Sequence, residues 1–170
     1  QYLSDLLVSD KEAYDLVRMT EGQPVARAAI VDEIVSEVRA LGNMSEVLAS
    51  LRRFKRRETL RIAYGDIVRN QPVETVVRQI SYLADAIVEA ALDFARRKLH
   101  EQYGVPLRAD VERSRFVVLG LGKLGGTELN YSSDIDLIFL FEQDGQTDAR
   151  RTVSNQEYFE RLSKEVVRLL

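Results

Sequence analysis

Between residues 116 and 141 the chain reads FVVLGLGKLGGTELNYSSDIDLIFLF, and no other stretch constrains the fold as much. The apolar run 116–119 has the length and composition of a buried strand. It breaks into a turn holding Gly120, Gly122, Gly125 and Gly126, with Lys123 inside it. One or two turns of helix fit residues 124–130. Ser133-Asp134-Ile135-Asp136-Leu137-Ile138-Phe139 then reads as a second strand. Alternate residues of a strand share a face, so Asp134 and Asp136 are expected to project together, about 7 Å apart at Cα for a rise of about 3.3 Å per residue. Two carboxylates on one face repel each other unless a cation lies between them. Such hard oxygen ligands suit Mg²⁺ or Mn²⁺, and Mg²⁺ is commonly held by one or two carboxylates together with substrate phosphates. A glycine turn beside them offers backbone N–H groups, and Lys123 a point charge, to phosphate oxygens.

Two other phosphate motifs fit less well. Gly120-x-Gly122-x-x-Gly125 matches the dinucleotide fingerprint and follows a strand, and Glu142 lies near the spacing of a ribose-binding acid. That fold needs a crossover helix of a dozen or more residues before its next strand, and only residues 126–133 are available. In a P-loop the lysine precedes Ser or Thr; here Lys123 precedes Leu124. The plain alternative is a turn joining two core strands, with solvated aspartates at its mouth. Ser132 and Ser133 either cap this turn or, for Ser133, hydrogen-bond a phosphate. Glu128 reads as a cap or packing residue of the short helix, and Tyr131 as packing.

The remainder is helical in pattern. Residues 4–19 carry one apolar stripe. Pro24 suits a first helical position and Gly42 the residue just past a helix end, with Val31, Val35, Val38 and Leu41 between them. Asn43 with Glu46 resembles a capping box for a third helix carrying Val47, Leu51, Phe54 and Ile62. Pro72 opens a long fourth helix to Gln102, stopped by Gly104 and Pro106. Residues 107–114 and 142–152 read as polar loops. Ser154 and Glu157 cap a last helix whose buried side is Tyr158, Phe159, Leu162, Val166 and Leu169. The expected class is α+β: a helical lobe over residues 1–106, then over 107–170 the opening βαβ-like edge of a mixed sheet. A two-stranded sheet is marginal alone, so further strands or covering helices are expected. The chain starts at Gln1 and stops within a helical pattern, which is expected of a piece of a longer protein.

Composition excludes several functions. A net charge of -3 gives no general attraction to nucleic acid or anionic lipid. There is no cysteine, hence no disulfide frame, which is compatible with a reducing cytoplasm. No apolar run approaches the roughly 20 residues of a membrane span. The densest charge run, Arg52, Arg53, Lys55, Arg56, Arg57 and Arg61, wraps most of a helix circumference. It reads first as a solvated face, second as a phosphate or partner contact in which Arg56 or Arg57 reaches the site mouth. His100, the sole histidine, reads as a surface residue.

Gly122-Lys123-Leu124-Gly125-Gly126, Glu128-Leu129-Asn130 and Ser132-Ser133-Asp134-Ile135-Asp136-Leu137-Ile138-Phe139 together resemble the nucleotidyltransferase core of the glutamine synthetase adenylyltransferase/adenylyl-removing enzyme family, within the polymerase-β-like superfamily. Asn130 and Ile135 resemble the amino-terminal, adenylyl-removing core of that bifunctional family. The resemblance runs from about Leu48 to the end. It implies a polymerase-β-like mixed sheet. It implies that Asp134 and Asp136 are catalytic and hold Mg²⁺ or Mn²⁺, with Gly122, Lys123, Gly125, Gly126 and Ser133 toward nucleotide or phosphate. It further implies phosphorolysis of AMP from a tyrosine of glutamine synthetase with release of ADP, and a PII-type regulatory partner in the control of nitrogen assimilation. An adenylylating core using ATP, or a catalytically idle nucleotide-sensing module, are the alternatives. The superfamily's third acid is not found in a strand context between residues 142 and 170, so little turnover is expected of this stretch alone.

Overall fold

The computed structural model describes Asp15 and residues 19–109 and 111–170. The helix expected over residues 4–19 falls outside them, apart from Asp15 and Met19. The elements are α1 Arg27–Arg39, α2 Met44–Ile67, α3 Val73–Tyr103, β1 Pro106–Arg108, β2 Phe116–Gly120, the single turn α4 Gly122–Gly125, β3 Leu137–Phe141, β4 Gly145–Thr147 and α5 Asn155–Leu169. The class is α+β, as the sequence pattern requires.

Local chemistry sets most helix ends. Asn43 accepts the Glu46 N–H at 3.0 Å and starts α2. Ser154 accepts the Glu157 N–H at 3.1 Å and starts α5. Both satisfy donors that a helix leaves orphaned. The 31-residue α3 follows Pro72 and ends at Gly104, whose φ is +77°. A Cβ on Gly104 would lie 2.2 Å from Asp148 Oδ1, so only glycine fits. Gly42 has no such role. α1 ends at Ala40 in right-handed conformation, its N–H shared between the Glu37 and Val38 carbonyls, and this tightened last turn needs no left-handed residue. Pro24 also precedes the helix, which begins at Arg27.

One apolar cluster joins Ile34 and Val38 of α1, Val47 and Phe54 of α2, Phe94 and Leu99 of α3, and Tyr158, Leu162 and Val166 of α5. It therefore draws on residues both before and after position 106. Half of the basic run on α2, Arg53, Arg57 and Arg61, stitches this bundle. Arg53 pairs with Glu37 and Arg57 with Glu33, both on α1. The Arg57 guanidinium also lies 4.8 Å over the Phe54 ring. Arg57 thus faces α1 and not the site mouth. Arg61 is only 1% exposed, bonding Glu58 at 2.8 Å, the Gln23 carbonyl at 2.6 Å and Gln79 at 2.9 Å.

The strands form two antiparallel pairs. β2 and β3 pair from Phe116↔Phe141 to Gly120↔Leu137. The βαβ-like edge does not form: β2 and β3 are antiparallel, and the only helix between them is the single turn α4, with no crossover helix to bring the chain back in parallel. Both expected polar loops contain a strand: β1 and β4 pair through Pro106↔Thr147, Leu107↔Gln146 and Arg108↔Gly145. Asn155 holds this pair to α5, donating to the Leu107 and Gln143 carbonyls at 2.9 and 3.0 Å. Phe116 and Phe141 stack on Phe159 of α5 at 5.1 Å each. The other face of β2–β3 leaves Val117, Leu119, Ile138 and Leu140 exposed. No helix among the described residues is long and apolar enough to cross a membrane.

Candidate metal and phosphate site

At the end of β2 the chain folds back sharply, and the glycines make this possible. A Cβ on Gly125 would lie 2.5 Å from the Gly120 carbonyl oxygen, and one on Gly120 would lie 2.9 Å from Leu124 Cγ. Gly122 has φ +53°, the left-handed region that favours glycine, and a Cβ there would meet Asp136 Oδ2 at an ordinary 3.8 Å. The Leu121 N–H donates to the Asp136 carbonyl at 2.9 Å. The glycine turn and the second aspartate are therefore one local unit. Thr127 follows with φ +59°, a costly conformation for a β-branched residue.

Asp134 and Asp136 do not lie in the strand, as expected from sequence, but in the extended segment before it. β3 begins at Leu137 because its partner β2 ends at Gly120 and turns away into α4. The strand's alternation still runs through the segment: Asp134 and Asp136 are exposed while Ser133 and Ile135 are half-buried. Both acids thus share the outward side. Neither is ion-paired with an Arg or Lys among the described residues, and no cluster of three His, Asp or Glu side chains forms there. Two neighbouring outward carboxylates without a cationic partner are a donor set that fits Mg²⁺ or Mn²⁺.

Lys123 is exposed on α4. Gly125 and Gly126 spend their N–H groups on the Leu121 and Gly122 carbonyls, at 3.2 and 3.0 Å. Within the turn, the donors without an intrahelical acceptor belong to its first residues, Gly122, Lys123 and Leu124. Gly125 and Gly126 therefore contribute shape. The Ser133 hydroxyl donates to Asn130 Oδ1 at 2.9 Å and accepts the Asn130 N–H at 3.1 Å, bracing the loop. Asn130 Oδ1 also accepts the Ser132 N–H at 3.1 Å. Glu128 is exposed, its carboxylate near Gly126.

Two contacts tie this loop to the helices. The Leu129 N–H donates to Ser81 Oγ on α3 at 3.1 Å. The Tyr131 hydroxyl donates to Asp66 on α2 at 3.1 Å; burial and the Asp66 charge raise the phenol's pKa above its ordinary value. Tyr131 is an anchor, not packing. Between loop and helices lies a cleft of about 390 Å³, bordered by Asp134, Ser133 and Tyr131 on one side and by Lys55, Thr59 and Ile80 on the other. Lys55, not Arg57, is the member of the basic run that lines this cleft. Helical spacing carried the signal, since Lys55 and Thr59 are four residues apart and share a face.

The whole chain, residues 1–170, matches the family described as glutamate-ammonia ligase adenylyltransferase. It is 39% identical over 149 residues to the bifunctional glutamine synthetase adenylyltransferase/adenylyl-removing enzyme of Pseudomonas aeruginosa, covering 86% of this chain and 15% of that protein. The enzymes of the same name from Shewanella frigidimarina and Thioalkalivibrio sulfidiphilus are 37% and 33% identical, over 91% and 89% of this chain and 17% and 16% of theirs. The chain thus spans about a sixth of the length of the curated relatives it matches. With the whole sequence matched and its glycine turn and aspartate pair held as one unit, this chain belongs to the glutamate-ammonia ligase adenylyltransferase family.

Proposed function

We propose that this chain contributes the metal- and phosphate-binding part of a nucleotidyltransferase that removes AMP from a tyrosine of glutamine synthetase by phosphorolysis, in the cytoplasm. The observation that carries this reading is the 2.9 Å hydrogen bond from the Leu121 N–H to the Asp136 carbonyl, which ties the glycine turn to the second aspartate. Asp134 and Asp136 would hold a divalent ion. Such an ion supplies positive charge to the oxygens of an in-line displacement at phosphorus. Lys123 and the leading N–H groups of α4 orient phosphate oxygens, and the cleft beside Lys55 and Thr59 has the volume for part of a nucleotide. In the reaction an oxygen of inorganic phosphate attacks the AMP phosphorus. A new P–O–P linkage forms, the P–O bond to tyrosine breaks, and the phenolate takes up a proton as ADP leaves. The work of the chain is positioning and charge stabilisation.

The test is ADP release from adenylylated glutamine synthetase, with phosphate and Mg²⁺, by the full-length protein carrying Asp134→Asn and Asp136→Asn. The expected loss is roughly 100-fold or more. Unchanged ADP release with lost ATP-dependent adenylylation would assign this core to the opposite direction of transfer. Both activities intact would remove the reading altogether.

A further inference from the structure

The cleft of about 390 Å³ borders a carboxylate, yet most of its lining is apolar. Ile80 and Ala84, one helical turn apart on α3, share a face and form one wall. Ile135 and the Tyr131 ring lie on the loop side. The alternation that turns Asp134 and Asp136 outward turns Ile135, between them, to the cleft. All four residues keep accessible surface: Tyr131 is 49% exposed, and Ile80, Ala84 and Ile135 are half-buried. The Tyr131 hydroxyl is taken by Asp66, which fixes the ring in place. Lys55 and Asp134 bring one charge of each sign to the lining, so the cleft has no net attraction for an oxyanion. The half-buried Thr59 has no hydrogen-bond partner among the described residues. Apolar walls with a few polar groups are the lining of a site for a neutral, flat body, not for a phosphate.

We infer, resting on the nucleotidyltransferase reading above, that this cleft is the nucleoside site. The purine of the transferred AMP lies between Ile80 and Ala84 on one side and Ile135 and Tyr131 on the other, and the Thr59 hydroxyl meets its polar edge. The placement follows from the acid pair. Asp136 belongs with the glycine turn, where the phosphate is held, while Asp134 borders the cleft. Their Cα atoms are about 7 Å apart in extended chain, comparable to the reach from phosphorus across a ribose to its base. The helical bundle is then part of the site: α2 and α3 select the base, and the loop carries the chemistry.

The full-length protein is irradiated with an ADP whose base carries an azide, in the presence of Mg²⁺, and the labelled peptides are mapped. Labels are expected on the segments that hold Ile80 and Ala84 or Tyr131 and Ile135. ADP should protect these segments, and pyrophosphate, which has no base, should protect them far less. Ala84→Leu adds bulk to the cleft wall. It should lower labelling there about tenfold and raise KM for adenylylated glutamine synthetase, with half-saturation by inorganic phosphate unchanged. Labels confined to other segments, or protection by pyrophosphate equal to that by ADP, overturn the inference. So does unaltered labelling in an Ala84→Leu protein with the parent's thermal midpoint. A raised KM in Ala84→Leu without labels in the cleft gives it to the tyrosine ring and overturns the inference too. The mapping itself needs no substitution, so it decides even if the variant misfolds. Labels that miss the cleft, while Asp134→Asn with Asp136→Asn still removes ADP release, reject the nucleoside site alone. Labels in the cleft with ADP release undiminished by those two substitutions support the nucleoside site and reject the phosphorolytic reading.

Discussion

At the scale of single residues, the site depends on positions where a side chain has no room. Gly125 is the sharpest case, since an added Cβ would lie 2.5 Å from the Gly120 carbonyl oxygen, which belongs to rigid strand backbone. Gly125→Ala should cost about 1–3 kcal/mol, measured by urea unfolding. It should also weaken Mg²⁺ binding by displacing α4 from Asp136. Gly126→Ala is the control: its Cβ would meet Glu128 at an ordinary 3.5 Å and should be tolerated. Glycine repetition in the sequence does not separate these cases, because only the approach of Gly120 and Leu124 distinguishes one glycine from the next.

At the scale of elements, β3 is a strand of two environments. Phe139 packs against the core, while Leu140 is 49% exposed on the opposite face. Phe139→Ala should cost about 2–3 kcal/mol by loss of packing, whereas Leu140→Thr should change stability by less than about 0.5 kcal/mol. Comparing the two unfolding midpoints checks the period-two assignment on which the Asp134–Asp136 argument also rests. The α1–α3 contact has its own signature. Burial pushes the Asp93 carboxyl up, but hydrogen bonds and charge from Arg39 and Arg97 outweigh it and hold the pKa below the ordinary 3.8. A depressed folded value stabilises the fold above the unfolded pKa, and that contribution is lost as pH falls through the folded one. Thermal midpoints should therefore decline more steeply below about pH 4 in the parent than in Asp93→Asn.

For the molecule as a whole, the aspartate pair is positioned by helices distant in sequence. Ser81 on α3 and Asp66 on α2 hold the loop that carries it, so stability of the bundle and geometry of the site are linked. The described residues bring only two acids together, and the superfamily resemblance implies three. Residues 1–170 alone should therefore bind divalent metal weakly and release ADP far more slowly than the full-length protein; equal rates in a single-turnover assay would contradict this.

Sequence by itself determined what is local. The caps at Asn43 and Ser154, the stop at Gly104, the alternation through Asp134 and Asp136, and the glycine turn all depend on neighbours within a few residues. So did the family, because the spacing of turn, loop and acid pair is written contiguously. What the tertiary structure alone decided depends on partners far along the chain. It ended β2 at Gly120 and so left the acids ahead of β3, paired residues 106–108 with 145–147, and sent Arg53 and Arg57 to α1 while leaving Lys55 on the cleft. It also half-buried His100 against the Tyr158 ring, where the sequence indicated a surface residue. A local pattern specifies which way a side chain points on its own element, but not which distant element, charge or cavity it will meet.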